Sequence, residues 1–417
     1  MKTLTADGRL LFATRLARLF AYGFLAVVLV LYLAQAGLSE AVVGLLLTLT
    51  LIGDTVISLW MTTRADRFGR RRTLIIGTLL MLFAALLFAG TQEFIPLLIA
   101  ATIGVISPSG NEVGPFLSIE QAALSQIVPD RERTHVFAWY NLVGSFATAF
   151  GALCGGGLAQ LLQNNGITPL NSYRAIVIGY GLMGLLLLLI FTRLSAKVEA
   201  PSPPTRAEPP RGTLPHGQRG ALGLHRSRRV VFKLSALFSL DAFAGGFVVS
   251  SFVAYWLNVR FGAEPGALGA IFFAANILAG ISALMAARFA KRLGLINTMV
   301  YTHIPSNILL ILVPLMPTLS WAVLMLLLRF SISQMDVPTR QSYTMAVVDP
   351  DERSAAAGVT GVARTTGAAI SPSITGALMS YPLLLNVPFY LAGGLKIIYD
   401  VLLYRSFKAI KPPEERV

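Results

Sequence analysis

Ten ionisable side chains stand where the surrounding sequence is apolar: Arg15, Arg18, Asp54, Glu112, Glu120, Asp241, Arg329, Asp336, Arg340 and Arg364. An ionised group inside a bilayer is costly unless it meets a partner or faces water, so these positions are where function is expected. The chemistry they offer is recognition and charge transfer, not bond making. Arg329, Ser333, Asp336 and Arg340 step by four, three and four, which puts them on one helical face. That face either pairs Asp336 with Arg340 for structure or lines a cavity whose arginines attract an anionic group. A second polar stripe runs through Ser107, Asn111, Gly114, Ser118, Gln121 and Ser125. Glu112 and Glu120 beside it could each carry a proton, and Glu120 could equally neutralise an arginine from another helix.

The chain repeats itself. Q-A-A-L-S-Q-I-V-P-D-R-E-R begins at Gln121 and Q-S-Y-T-M-A-V-V-D-P-D-E-R begins about 220 residues later at Gln341, so Gln121, Glu132 and Arg133 recur as Gln341, Glu352 and Arg353. Aligning Gly23-Phe24 and Tyr32 with Gly246-Phe247 and Tyr255 sets Arg18 opposite Asp241. Complementary charges at matched positions are compatible with a gate between the halves, with a static pair, or with no contact. A duplicated, membrane-embedded half is the organisation of a secondary transporter.

The elements that must position these residues follow from hydropathy. Hydrophobic residues make up 55% and charged residues only 13% of the chain, more apolar than a soluble core requires. About twelve spans are expected, near 10–35, 41–63, 73–91, 94–127, 134–159, 173–193, 231–258, 266–287, 295–316, 319–347, 354–379 and 385–405. S-P-S-G-N-E-V-G-P, from Ser107 to Pro115, should unwind the fourth. The net charge of +14 resides in short connections, which argues against nucleic acid. Arg64 to Arg72, Arg131 and Arg133, Arg288 to Arg292, Arg353, and Lys408 with Lys411 fall in alternate connections, which predicts cytoplasmic termini. The first apolar segment lacks a cleavage site and reads as a retained helix. Residues 1–194 and 231–407 are expected as six-helix bundles, 195–230 as a flexible Pro/Arg-rich cytoplasmic linker with solvated His216 and His225, and 408–417 as a tail. Cys154 alone offers neither an intramolecular disulfide nor a cysteine metal site.

A-D-R-F-G-R-R-R, from Ala65 to Arg72, resembles the signature loop of the major facilitator superfamily, with Asp66, Arg67, Gly69, Arg70 and Arg71 in its acidic, glycine and basic positions. Thr62 and Arg64 replace its first glycine and its leucine, and the second-half counterpart around Gly294 lacks the acid. A-T-A-F-G-A-L-C-G-G resembles the antiporter pattern of the family's drug/proton branch through Gly151, Gly155 and Gly156, while G-A-A-I-S-P-S-I-T-G matches it at Gly367, Pro372 and Gly376. Small residues at this spacing also serve close helix packing, whatever the cargo. The resemblance implies an all-α integral membrane protein of two pseudo-symmetric six-helix bundles, functional as a monomer. It implies a loop that latches the halves, and alternating-access transport of a small organic molecule without a cofactor, driven by a proton or other ion gradient. Proton-coupled export across a prokaryotic cytoplasmic membrane is the first expectation, although the fourth span lacks the arginine common in drug antiporters. Movement of an organic anion or metabolite through an arginine-lined cavity is the alternative. Neither a Walker loop nor a histidine ligand pair is present, so ATP hydrolysis and metalloenzyme chemistry are not expected.

Overall fold

The computed structural model describes residues 4–129, 132–200, 224–349 and 352–410. Arg131, Lys411, His216 and the middle of the expected linker lie outside these residues. Sixteen helices follow one another among the described residues: α1 (Ala6–Ala26), α2 (Leu29–Gln35), α3 (Glu40–Phe68), α4 (Arg70–Gly90), α5 (Phe94–Ile103), α6 (Phe116–Ile127), α7 (Arg133–Asn164), α8 (Pro169–Thr192), α9 (Arg228–Gly246), α10 (Ser250–Phe261), α11 (Pro265–Leu293), α12 (Leu295–Leu312), α13 (Leu319–Ser333), α14 (Asp336–Val347), α15 (Arg353–Met379) and α16 (Val387–Phe407). Local chemistry sets several ends. Thr5 caps α1 by accepting from the Gly8 amide at 3.2 Å, prolines open α8 and α11, and Gly69, at φ 105°, takes the turn from α3 into α4.

Paired where they are interrupted, these helices make twelve rods. Nine helical stretches are long and apolar enough to cross a membrane, and α1 with α2, bent by 44°, makes a tenth. The two rods that fall short are informative. The fourth is split into α5 and α6 by the irregular segment 104–115, and α15 is built largely from Gly, Ala, Ser and Thr. The first, fourth, seventh and tenth rods are all interrupted, at Val27–Val28, 104–115, Phe247–Val249 and Gln334–Met335.

The two halves repeat the same packing. α1 lies on α7 and α8 as α9 lies on α15 and α16, and α4 on α8 as α12 on α16. Two long pairs join the halves, α3 with α15 and α7 with α11. Each contains a glycine-on-glycine crossing, where a Cβ added to Gly156 would stand 2.8 Å from Gly269 Cα, and one added to Gly376 would stand 2.8 Å from Gly44 Cα. Only glycine lets backbones meet so closely. Ser373 and Thr48 bond at 2.8 Å in the same region. Towards the chain termini α15 opens out: Ala357, Gly358 and Val362 are exposed, and a Cβ on Gly358 or Gly361 would touch nothing within 4 Å. The halves thus meet at the end far from the termini and part at the terminal end.

The ends of the expected linker depart from a flexible chain. Val198 is fully buried, and the Glu199 carboxylate accepts from the Arg70 and Arg71 amides that open α4. Across the linker, Glu352 accepts from the amides of His225, Arg226 and Ser227 at 3.0, 2.8 and 2.9 Å, and His225 Nδ1 lies 2.5 Å from it. His225 is therefore a partner of Glu352 and not a freely solvated residue. Carboxylates hold both segments because helix N-termini present unpaired amides to them.

Candidate functional site

The unwound fourth rod organises the centre. Its carbonyls, freed from helical bonding, all need partners in a dry setting. Tyr180 and Tyr22 donate to the carbonyls of Val105 and Val113, Thr148 to that of Gly110, and Ser107 to that of Asn111. Ser251 and Ser250, from the interrupted seventh rod, donate to Pro108 and Ser109, so the two breaks bind each other across the halves. Asp54, which sequence alone left without a partner, accepts from the Gly114 amide at 2.6 Å and from Ser58 at 3.1 Å, tying the third helix to the break.

A cavity of about 270 Å³ opens beside this segment, walled by Arg15, Asn111, Glu112, Asn276, Phe330 and Gln334 among others. Behind the wall, in the first half, lies a dense ionic cluster. Arg18 donates to both oxygens of Glu120 at 2.7 Å and to Glu112 at 3.1 and 3.3 Å. Thr14 and Tyr140 also donate to Glu120, while Arg15 reaches Glu112, the Tyr140 carbonyl and Asn141. Arg18 and Glu120 are fully buried. Of the two sequence readings of Glu120, neutralisation of an arginine describes this arrangement.

The second half carries the matching cluster with its signs exchanged. Arg340, the repeat counterpart of Glu120, donates to Asp241, the counterpart of Arg18, at 2.9 Å, and pairs with Asp336 at 3.1 Å. Lys396 completes it at 2.5 Å from Asp241. A gate between Arg18 and Asp241 is thereby corrected: each is engaged by carboxylates or cations of its own half. Arg340 and Arg364 share the wall of a chamber of about 480 Å³ with Phe238, Gln341, Thr344 and Thr360. Among the described residues Arg364 makes no ion pair, and the Nε of Arg329 and Oγ of Ser333 are buried without a hydrogen-bond partner. The expected face from Arg329 to Arg340 is therefore shared between α13 and α14, interrupted at Gln334–Met335. Gln121 is half-buried and Asn111 exposed to the cavity.

The signature loop sits at the terminal end. Arg70 donates to Asp66 at 2.7 Å, to Gln126 at 2.8 Å and to the Val198 carbonyl at 3.2 Å, while Arg71 reaches the Thr192 carbonyl at 2.5 Å. All these partners belong to the first half or to the start of the linker. Among the described residues the expected latch between halves is not engaged, and the Asp66 side chain is 66% exposed. Arg67 is exposed beside it.

Sequence reasoning passed over Lys396, Asp400 and His303. G-L-K-I-I-Y-D in the last span was a usable signal, since Lys396 and Asp400 are two opposite charges four residues apart in apolar sequence. Tyr140 and Asn141 gave no signal, because polar residues near a span's end are ordinary.

Residues 11–372 match the Major Facilitator Superfamily. An uncharacterized membrane protein of Saccharomyces cerevisiae is 31% identical over 429 aligned positions, covering 98% of this chain and 96% of that protein. Solved structures share the fold at lower identity. The nucleoside transporter NupG superposes with a TM-score of 0.70 at 13% identity, covering 97% of this chain and 100% of that one. A D-xylose–proton symporter gives 0.70 at 15%, covering 95% and 97%. A bacterial homologue of the human lysosomal transporter Spinster, inward-facing and unoccupied, gives 0.67 at 16%, covering 96% and 94%.

Proposed function

The chain belongs to the Major Facilitator Superfamily, and from that premise we propose that it moves a small organic anion across a membrane by alternating access. The observation that carries this reading is the guanidinium of Arg364, which makes no ion pair among the described residues and shares a chamber wall with Arg340. In the first half, two arginines meet two carboxylates. In the second, Arg329, Arg340, Arg364 and Lys396 outnumber Asp241, Asp336 and Asp400 by one. A positive charge on a chamber wall without an ion-pair partner is held by water and offers its strongest site to an anion. Two arginines on neighbouring helices suit a carboxylate or phosphate, which guanidinium groups bind in a fork.

Proton-coupled export in the manner of the drug/proton branch is the second reading. What favours it is Glu112, which lines the cavity, and the close helix contacts made by Gly151 and Gly155 against α1. It requires Glu112 or Glu120 to release an arginine before taking a proton. Cytoplasmic placement of both termini is proposed from the arginine-rich connections at the terminal end. The cavity would then face the cytoplasm. The yeast relative lends no support to a specifically prokaryotic membrane.

The test uses purified protein in liposomes, a panel of organic anions and cationic drugs, and an interior pH dye. Anion flux should appear, and Arg364→Ala should raise its half-saturating concentration by about ten- to a hundredfold, the loss of one charge-assisted hydrogen bond. Cation flux that moves protons, unchanged by Arg364→Ala and abolished by Glu112→Gln, would overturn the anion reading in favour of export.

A further inference from the structure

Behind the wall of the second-half chamber, α12 and α16 enclose a polar site that transport as described above does not use. His303 Nδ1 lies 2.9 and 3.1 Å from the two oxygens of Asp400, and Asn307 donates to the same carboxylate at 3.2 Å. Asp400 and Asn307 are fully buried and His303 is 4% exposed. None of the three lines the cavity or the chamber. The site also holds spare hydrogen-bonding capacity. Asn307 Oδ1, Ser306 Oγ and Tyr399 OH are buried without a partner, and the Tyr399 ring stands edge-on to His303 at 6.0 Å. A site whose only task was to pin two helices would leave little unsatisfied, because each buried orphan is costly.

A path leads from this site to the chamber. Lys396 precedes Asp400 by one helical turn, so both project from one face of α16. Lys396 bonds Asp241, and Asp241 bonds Arg340 in the chamber wall. Asp241 from α9 and Lys396 from α16 are the charged groups that act on Asp400, while Arg340 from α14 and Arg364 from α15 face Asp241, and Asp336 from α14 faces Tyr399. Lys396 and Tyr399 stand on α16 itself, and Arg329 of α13 acts on Asp241.

We propose that His303 and Asp400 form a proton-binding site set behind the cavity wall, taking up one proton per chain and passing its occupancy through Lys396 and Asp241 to Arg340. In the unprotonated state neutral His303 donates Nδ1–H to the Asp400 carboxylate, and the pair carries one negative charge. A proton from water adds to Nε2, giving an imidazolium beside a carboxylate and a neutral pair; release reverses the step. Neutralising the pair leaves Asp241 as the carboxylate that holds Lys396. Lys396 then competes with Arg340 for Asp241, and Arg340, still paired with Asp336 on its own helix, is released from Asp241 towards the chamber. Proton uptake and anion binding therefore favour each other. That link rests on the anion reading, whereas the proton site does not.

The experiment titrates purified protein without cargo, between about pH 8 and 5 where a histidine changes charge. Proton uptake is measured directly, and infrared difference spectra follow imidazole and carboxylate bands. Wild type should take up one proton more than His303→Gln and one more than Asp400→Asn. Tyr399→Phe should keep the proton and shift the midpoint. Uptake and spectra unchanged in both variants, with only a lowered melting temperature, would overturn the proposal. If neither variant folds, the nitrogen-15 shifts of His303 decide. Replacing His135, His216 and His225 together by Gln leaves the signal of His303 alone: a ring that takes up a proton supports the site, and a ring that stays locked across the range overturns it. Because no cargo is present, failure here leaves the anion flux measurement standing, and failure of that flux leaves this titration standing.

Discussion

At the scale of single residues, the first-half cluster divides two carboxylates that look alike in sequence. Glu120 is sealed and accepts from Arg18, Thr14 and Tyr140, whereas Glu112 keeps contact with the cavity, its side chain 16% exposed. Glu120→Gln leaves a fully buried guanidinium with one carboxylate instead of two, and should destabilise by about 3 to 5 kcal/mol. Glu112→Gln should cost less, since Arg18 retains its paired bonds to Glu120. Thermal unfolding in detergent checks the order, and equal losses would contradict it. Much of this was legible in advance. Intramembrane charge marked Arg18, Glu112, Glu120, Asp241, Asp336 and Arg340 as members of buried networks, because hydrocarbon makes an unpartnered charge costly. Which charge meets which was not legible. Arg18 and Asp241 are complementary and symmetrically placed, yet each is held by helices far away in sequence, and only packing decides that.

At the scale of elements, the spans and the broken fourth rod could be read because hydropathy and the Pro/Gly run act locally. The interruptions at Val27–Val28 and Gln334–Met335 could not, since neither contains Pro or Gly. They follow from tertiary contacts. The linker's ends were misread for a related reason: the first is held by its own Glu199 on the amides that open α4, and the second by a carboxylate that arrives from the start of α15. Burial pushes the Glu352 carboxyl up, but the amides of Arg226, His225 and Ser227 outweigh it and hold the group below the ordinary carboxylate range. A depressed folded value gives a tie that is complete above the ordinary carboxylate range and is lost only as pH falls through the lower folded value. Hydrogen exchange at the amides of residues 225–227 should therefore stay protected at neutral and mildly acid pH. Glu352→Gln should lose that protection at every pH, and matching exchange in variant and wild type would refute the tie.

At the scale of the whole molecule, two glycine crossings hold the far end shut while the terminal end stands open. Gly156→Val and Gly376→Val force side chains into neighbouring backbone and should pry that end apart. A reporter at Ser250, introduced as Ser250→Cys with Cys154→Ser, should then label faster from the far side. Gly157→Val, whose Cβ meets nothing within 4 Å, should leave labelling unchanged. Unaltered labelling in the first two variants would mean that the crossings do not keep the end closed. The exchanged signs of the two clusters reach further, into ancestry. Reversing a buried pair takes at least two substitutions, and the chain between them must bury a charge without its partner, a loss of about 3 to 5 kcal/mol. The duplicated halves are therefore separated by a step that neither retraces one residue at a time. A recombination event falling between positions 18 and 120 would join Arg18-type to Arg340-type partners and be lost. Sequence exchange between the halves would carry that loss wherever it replaced one partner without the other.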